Sequence, residues 1–275
     1  MGALGGALTM KYLIGYPPVV IVILTILAAA VTGLVFSALL AVACINFKAD
    51  QTIVGTALNM LGLAAATVIV KAINTAENPD NVSATVQYIA QKKAFLVNIG
   101  DFTFNWMMLV ALVILIAAYI VLYKTKFGLR LMSCGEHPQA ADSVGINVYK
   151  MRYAGTTISG ALAGMGGFVY AMTTANCSAN GDVAGFGFLA LAVMIFGNWK
   201  PLNVAGGALL FGLFKCIAAS YASIDINGDG VYMLAEIGIS AHLYRMLPYI
   251  VTLLVLAFTS KSSRAPKAEG IPYDK

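Results

Sequence analysis

Residues 19–45 read VVIVILTILAAAVTGLVFSALLAVACI, and this stretch decides the fold class. It carries no charge and is apolar all round, whereas a surface helix of a soluble protein has one polar face. About 20 mostly apolar residues are enough for a helix to cross a bilayer. The stretch therefore predicts a membrane-spanning helix over 18–46. We expect this helix to be tilted or broken near Gly33, because it is longer than one span needs.

The composition of the whole chain indicates the same environment. Of its 275 residues, 60% are hydrophobic and 11% are charged, whereas about 25% are charged in an ordinary soluble domain. This composition excludes a soluble enzyme, a disordered protein and a DNA-binding domain. The formal net charge of +5 is not accompanied by a basic patch with interleaved aromatic residues, so we expect no nucleic-acid partner.

Further uncharged runs follow the first one, at 51–70, 102–123, 153–181, 183–199 and 246–260. Helices satisfy their own backbone polar groups, which lipid cannot do. The chain is therefore predicted to be an all-α polytopic membrane protein, with the lipid bilayer as its solvent and about seven transmembrane helices. The expected passes are 18–46, 52–73, 105–123, 153–175, 185–198, 201–221 and 243–260.

Lysine and arginine residues predict how the helices are oriented, because cytoplasmic loops carry an excess of them. They concentrate in the 124–152 loop and in the 261–275 tail, which we therefore place in the cytoplasm. The N-terminus and the long connections at 74–104 and 222–242 then lie outside. Residues 1–260 are expected to form a single transmembrane domain, followed by a flexible cytoplasmic tail.

The cytoplasmic loop contains the most informative motif of the chain, GEHPQAADSVGINV at 135–148. Proline is favoured at the first turn of a helix and glycine just past its end, so Pro138 and Gly145 delimit a short helix at 139–144. This helix is expected at the cytoplasmic surface, where the small Ala140-Ala141 pair allows another protein to approach closely. A surface loop with an incidental helical turn is the alternative that spacing alone leaves open.

The GEHPQAAxxxGINV pattern resembles the coupling loop of ATP-binding-cassette (ABC) importer permeases, with Gln139 where glutamate is usual. Among these, the chain is most similar to the class that carries simple sugars, nucleosides and branched-chain amino acids. Three further blocks agree, SGALAGMGG at 159–167, GFGFLALAVMIFGNWKP at 185–201 and GGALLFG at 206–212. The FGNWKP turn is most similar to nucleoside-type permeases, so the resemblance implies a permease domain that carries nucleosides.

The resemblance also implies several partner chains at a bacterial plasma (inner) membrane. The protein is expected to form half of the transmembrane pathway and to pair with a second permease chain, identical or different. An extracytoplasmic solute-binding protein would deliver the solute. The coupling residues that the resemblance implies are Gly135, Glu136, His137, Pro138, Gln139, Ala140, Ala141, Asp142 and Gly145.

ATP chemistry is expected in a separate cytoplasmic ATPase, which would bind ATP and Mg²⁺. The chain contains no Gly-Lys dipeptide and therefore no Walker A site. We accordingly expect no cofactor bound by this chain, no catalytic residue and a transport role in place of an enzymatic one.

The resemblance also predicts a shortened N-terminal part. The family usually has further N-terminal helices with an Asn-Ile-Gly-x-Glu-Gly-Met-Met segment, and this chain starts after the expected end of that segment. An N-terminus on the outside without a cleavable signal agrees with this expectation.

Polar residues within apolar runs are candidates for the solute pathway, because their burial in lipid is costly. Helix–helix hydrogen bonding and ordinary packing are the alternatives for each of them. Small residues four apart, as at Gly160 and Gly164, let membrane helices approach closely, and Gly166 and Gly167 are expected to extend that face. The pathway candidates are Thr56, Asn59, Asn105, Trp106 and Phe188.

Two other functions and one metal site stay open. A simple-sugar permease of the ribose type is the second choice of solute. An ion-coupled secondary transporter favours ionisable residues at mid-membrane, and Lys215 is the one candidate for such a role.

Residues 225–236 fit the D-x-N-x-D-G-x5-E pattern of a calcium loop, but a turn-rich outer loop explains them as well. We therefore expect no metal site.

Overall fold

The computed structural model describes residues 1–87, 95–100, 102–173, 178–179, 182–183, 185–220, 243, 246–247, 249–251, 253–254 and 265–274. The chain forms two compact units. The first comprises Met1–Ala184 with Pro266–Lys275, and the second comprises Gly185–Ala265.

The first unit is mostly helical. Its helices are α1 (Gly2–Tyr12), α2 (Pro18–Ala41), a π-helical turn (Val42–Asn46), α3 (Gln51–Glu77), α4 (Trp106–Lys124), α5 (Lys126–Glu136), α6 (Pro138–Ser143) and α7 (Val148–Thr173). Four short strands accompany them, β1 (Val86–Gln87), β2 (Leu96–Ile99), β3 (Phe102–Asn105) and β4 (Ser178–Ala179).

Within the described residues, four helices are long and apolar enough to cross a membrane. They are Pro18–Asn46, Gln51–Glu77, Trp106–Lys124 and Pro201–Ser220. The passes predicted at 18–46, 52–73, 105–123 and 201–221 are therefore confirmed as apolar helices of spanning length.

The other three predicted passes have different outcomes. α7 has 26 residues but is rich in glycine, threonine and serine, and it is not among the four spanning candidates. The helix predicted at 185–198 has 11 residues, about 16 Å at 1.5 Å per residue. Most of 243–260 lies outside the described residues, so the count of seven stays a prediction.

The first pass is not broken near Gly33. α2 is continuous through this residue, and its one irregularity is the π-helical turn Val42–Asn46 at its C-terminal end. Gly33 instead marks a close approach, since a Cβ there would overlap the carbonyl oxygen of Gly160 and lie 2.8 Å from the Cα of Gly164. The excess length of this run over one span is therefore not accommodated by a break at Gly33, where α2 instead packs closely on α7.

α2 and α7 pack backbone against backbone. A Cβ on Gly164 would overlap the carbonyl oxygen of Ala29, and one on Gly160 would overlap the Ser37 side chain. The packing role predicted for Gly160 and Gly164 is confirmed. The predicted extension of this face by Gly166 is wrong, because a Cβ there would have no neighbour within 4 Å.

α1 is a helix that the sequence pattern does not predict. It packs against both α2 and α7, and Ala3, Leu4, Ala7 and Met10 are buried there. Its 11 residues are too few to span a bilayer, and its glycines lower the intrinsic helix propensity. Tertiary packing therefore forms this helix where local preference does not predict it.

Two small antiparallel strand pairs qualify the all-α prediction. β1 pairs with β4 through Val86–Ala179 and Gln87–Ser178, and β2 pairs with β3 from Leu96–Asn105 to Ile99–Phe102. β1 and β4 connect the segment after α3 to the end of α7. The fold is therefore mostly helical with a small amount of strand.

The second unit contains α8 (Phe186–Phe196) and α9 (Pro201–Ser220) among its described residues. Pro201 begins α9, as the sequence predicts. Between the helices, Asn198 and Trp199 have left-handed backbone angles, with φ of 51° and 62°. The FGNWKP motif therefore forms a tight reversal that allows α8 and α9 to pack on each other.

The close approach of α2 and α7 predicts that alanine substitutions at two glycines of α7 differ sharply in their effect on stability. Gly164→Ala is expected to destabilise the protein by about 1–3 kcal/mol, because the added methyl group overlaps the α2 backbone. Gly166→Ala is the matched control and is expected to be close to neutral, since its Cβ would meet open space. Thermal unfolding in detergent measures both, and equal midpoints for the two variants would contradict this packing.

Candidate functional site

The predicted coupling loop is built from two helices. Thr125 caps α5, since its side-chain oxygen accepts a hydrogen bond of 3.2 Å from the Gly128 N–H. α5 ends at Glu136, and Pro138 begins α6. The sequence analysis predicted α6 but assigned no structure to α5.

Gly145 ends α6 as the sequence predicts. Its φ of 84° lies in the left-handed region, which side chains with a Cβ rarely adopt. Its N–H donates to the Asp142 carbonyl oxygen at 2.9 Å, and the N–H of Ile146 donates to the Ala141 carbonyl oxygen at 3.0 Å. Proline at the first position and glycine past the end therefore hold six residues in one helical turn and a half.

The two faces of this loop differ in exposure. Cys134, Ala141 and Val148 face inwards and are at most 3% exposed. Val144 is 75% exposed, which is unusual for an apolar side chain next to charged residues. The exposed residues of the loop, from 136 to 145, are Glu136, His137, Gln139, Ala140, Ser143, Val144 and Gly145.

Ala140 and Ala141 therefore do not lie on the same face of α6. Ala140 is exposed and remains available for close approach by a partner, whereas Ala141 is only 3% exposed because it packs inside the protein. The prediction that both alanines face a partner is corrected in this respect. The physical reason is that consecutive helical residues point about 100° apart, so they cannot share one face.

A residue of the C-terminal segment fills the inward side of the loop. Tyr273 is 6% exposed and packs with Cys134, Ala141 and Val148. Its ring centroid lies 5.5 Å from that of Tyr149 at an interplanar angle of 69°. This is not the arrangement that a flexible tail over 261–275 predicts.

Burial sets the chemistry of this cluster. It raises the pKa of the Cys134 thiol, so the thiol is protonated at neutral pH and serves as a packing group. Burial and the neighbouring Asp142 carboxylate, which accepts a hydrogen bond from the phenol, raise the pKa of Tyr273. Both groups are therefore neutral at physiological pH.

The predicted pathway residues come from α3, from the start of α4 and from α8. Thr56 and Asn59 lie one turn apart and exposed on α3, where the Thr56 hydroxyl donates to the Ile53 carbonyl oxygen at 2.8 Å. Trp106 is 46% exposed in the first unit, and Phe188 is 76% exposed in the second. Their role in solute passage stays a prediction.

Asn105 has a clear local role. It precedes α4, and its side-chain oxygen accepts a hydrogen bond of 2.9 Å from the Met107 N–H. Such a cap satisfies one of the free N–H groups of a helix start. A capping function therefore accounts for an asparagine at this position.

Sequence reasoning missed a cleft of about 540 Å³ between α2 and α7. The hydroxyl-bearing residues Ser37, Thr156 and Ser159 line it together with Leu40 and Gly155. These residues lie far apart in the sequence, and only the pairing of the two helices brings them together.

A metal site receives no support from the described part of the chain. Among those residues, no group of three or more His, Cys, Asp or Glu side chains is placed to hold an ion. The calcium-loop pattern at 225–236 lies outside the described residues.

The capping role of Asn105 can be measured. Asn105→Ala is expected to lower stability by about 0.5–2 kcal/mol, and Asn105→Ser to restore most of it, because serine also caps helices. Asn59→Ala is the control, since that asparagine is exposed within α3 and caps no helix. Thermal unfolding in detergent gives the comparison, and failure of serine to rescue would contradict the capping role.

Comparison with known proteins places this geometry in context. Residues 1–256 match the family described as branched-chain amino acid transport system permease component. The guanosine ABC transporter permease protein NupQ of Bacillus subtilis is 39% identical over 263 residues, which cover 92% of this chain and 77% of the relative. The nucleoside ABC transporter permease protein NupC of Lactococcus lactis is also 39% identical, over 92% of this chain and 78% of the relative.

A second permease of Lactococcus lactis is more distant. The nucleoside ABC transporter permease protein NupB is 25% identical over 197 residues, which cover 70% of this chain and 54% of the relative. No solved structure matches the chain.

Proposed function

Because the chain belongs to the family of branched-chain amino acid transport system permease components, we propose that it is the permease subunit of an ABC importer and that its solutes are nucleosides. The observation that carries the proposed solute is the 39% identity to two permeases named for guanosine and nucleosides, each over 92% of the chain. The chain is a multi-pass membrane protein with a transport role. We place it in the bacterial plasma membrane with seven passes and the α5–α6 loop in the cytoplasm.

The proposed importer contains further chains. NupC and NupB are two different permeases of one organism, and both are similar to this chain. This supports pairing with a second, non-identical permease chain to complete the pathway. A cytoplasmic ATPase supplies the energy and binds ATP and Mg²⁺, and an extracytoplasmic binding protein delivers the solute.

The α6 helix is the proposed contact with the ATPase. On and beside its outward face lie the small Ala140, the exposed apolar Val144 just after its last residue and the charged Glu136 at the end of α5. Exposed apolar groups with a polar rim are typical of protein contact sites. α6 is connected to α4 through α5 and leads directly into α7, so its displacement is passed to two long helices. Alternation between outward-facing and inward-facing states requires such a movement.

The solute pathway is proposed to involve Thr56, Asn59, Asn105, Trp106 and Phe188. Polar and aromatic side chains at the ends of membrane helices suit a solute that combines hydroxyl groups with a flat base. The capping bond of Asn105 is compatible with this role, because its side-chain N–H₂ group is not used in the bond to Met107.

The solute is tested by uptake. The complex is purified from its own host in mild detergent, reconstituted in proteoliposomes with the binding protein, and given radiolabelled guanosine with ATP. ATP-dependent accumulation that excess adenosine inhibits and excess ribose does not is the expected result. Inhibition by ribose but not by adenosine would indicate that the solutes are simple sugars and not nucleosides. Inhibition by leucine alone would indicate a branched-chain amino acid permease.

The docking role of α6 is tested by introducing a charge at the exposed apolar residue that follows it. Val144→Asp is expected to lower the amount of ATPase that co-purifies by about tenfold, as loss of 1.4 kcal/mol of binding free energy does. Val82→Asp is the matched control, because Val82 is 71% exposed in the connection after α3, which is predicted to lie on the outer side.

Two results would contradict this assignment. Equal recovery of ATPase with both variants would remove α6 from the contact. Uptake that needs an ion gradient and no ATP would indicate a secondary transporter, in which the exposed Val144 has no binding role.

A further inference from the structure

The C-terminal segment 266–274 returns to the α5–α6 loop and contacts it at several points. Pro266 lies next to Gly135 at the end of α5, and the N–H of Ala268 donates to the Gly135 carbonyl oxygen at 2.9 Å. Five residues later, Tyr273 enters the buried cluster between α6 and α7. The segment thus runs from the end of one helix of the loop to the start of the next long helix.

Tyr273 is the one member of the buried cluster that comes from outside the loop and α7. The other buried members are Cys134 of α5, Ala141 of α6 and Val148 of α7. Three of the four are small or medium-sized, so the tyrosine ring supplies much of the apolar surface that buries Ala141. A six-residue helix is not stable by itself, so α6 relies on tertiary contacts, and the Tyr273 ring is one of them beside Ile146, Tyr149 and Met151.

α7 holds the C-terminal segment 266–274 from the other side. The Arg152 guanidinium donates to the Ile271 carbonyl oxygen at 2.9 Å and lies 5.9 Å from the centre of the Tyr273 ring. That distance is within the range of a cation–π contact. Lys48, just after the first pass, forms a salt bridge with Asp274. The segment is therefore attached to three separate parts of the first unit.

We propose that residues 266–274 form a strap that fixes α6 to α7, and that Tyr273 is a positioning residue for coupling. The proposal rests on the proposed function of α6 as the ATPase contact. A docked α6 transmits displacement only when it moves together with α7. The strap provides this rigidity, because the direct covalent connection between the two helices is only the short segment 144–147, which contains Gly145.

Loss of the strap is expected to separate ATP hydrolysis from transport. α6 would still meet the ATPase through its exposed face, because that face contains no strap residue. The displacement of α6 would then bend the chain at Gly145 and would not be passed on to α7. The expected signature is ATP hydrolysis that continues while the amount of solute carried per ATP falls.

The test compares three variants of the full chain in the purified importer complex in proteoliposomes. Tyr273→Ala removes the ring, Tyr273→Phe keeps the ring and removes only the hydroxyl, and Ile271→Ala is the control. Ile271 lies in the same strap with a side chain that is 57% exposed, and the alanine keeps its carbonyl oxygen. Guanosine uptake and phosphate release are measured on the same sample.

Tyr273→Ala is expected to lower uptake per ATP by about fivefold or more, the lower range of a coupling effect between two sites. Tyr273→Phe and Ile271→Ala are expected to keep the wild-type ratio. An unchanged ratio in Tyr273→Ala, beside a coupled wild type, would overturn the proposal.

Hydrogen exchange tests the strap independently of transport. In Tyr273→Ala, amides of 139–145 are expected to exchange faster, while those of the α2–α7 contact around Gly164 stay protected. Faster exchange throughout the first unit, or no change at 139–145, would overturn the local role of Tyr273. A wild-type complex without uptake would overturn the proposed function, and the exchange data would then still decide whether the strap holds α6.

Discussion

The backbone contact between α2 and α7 is the constraint on which the rest of the first unit depends. In lipid, apolar helices gain little by leaving the solvent for one another, so association relies on close packing of small residues. Gly33, Gly160 and Gly164 permit an approach that any Cβ would block. α1 then lies against both helices and buries its own small residues there. One pair of complementary surfaces thus positions three helices.

The same contact places the candidate site. α7 begins at Val148, directly after the loop that contains α6, so the orientation of α7 determines where that loop lies. The loop and α7 are held in place by different kinds of contact. α7 is held by the fit of glycines, whereas α6 packs on the ring of Tyr273. The segment that carries this ring is itself held by hydrogen bonds with Gly135 and Arg152 and by a salt bridge with Lys48.

The two faces of α6 have separate tasks in the proposed importer. The inward face, through Ala141, joins the protein, and the outward face, through Ala140 and Val144, is free for a partner. Ala140 and Ala141 are therefore consecutive in the motif but contribute to different faces of α6. This division explains why small residues are needed at both positions, one for close packing on Tyr273 and the other for close approach of a second chain.

The sequence by itself determined the class of protein, the four long apolar helices and the short helix between Pro138 and Gly145. These features depend on local chemistry, namely uncharged runs of spanning length and the fixed preferences of proline and glycine at helix ends. It also determined the family, because the motifs that carry the resemblance are contiguous. Only the tertiary structure decided that α1 is a helix, that α2 continues through Gly33, that Gly166 faces open space and that Tyr273 buries Ala141. Each of these depends on a neighbour distant in the chain, and no local pattern specifies which surfaces will meet.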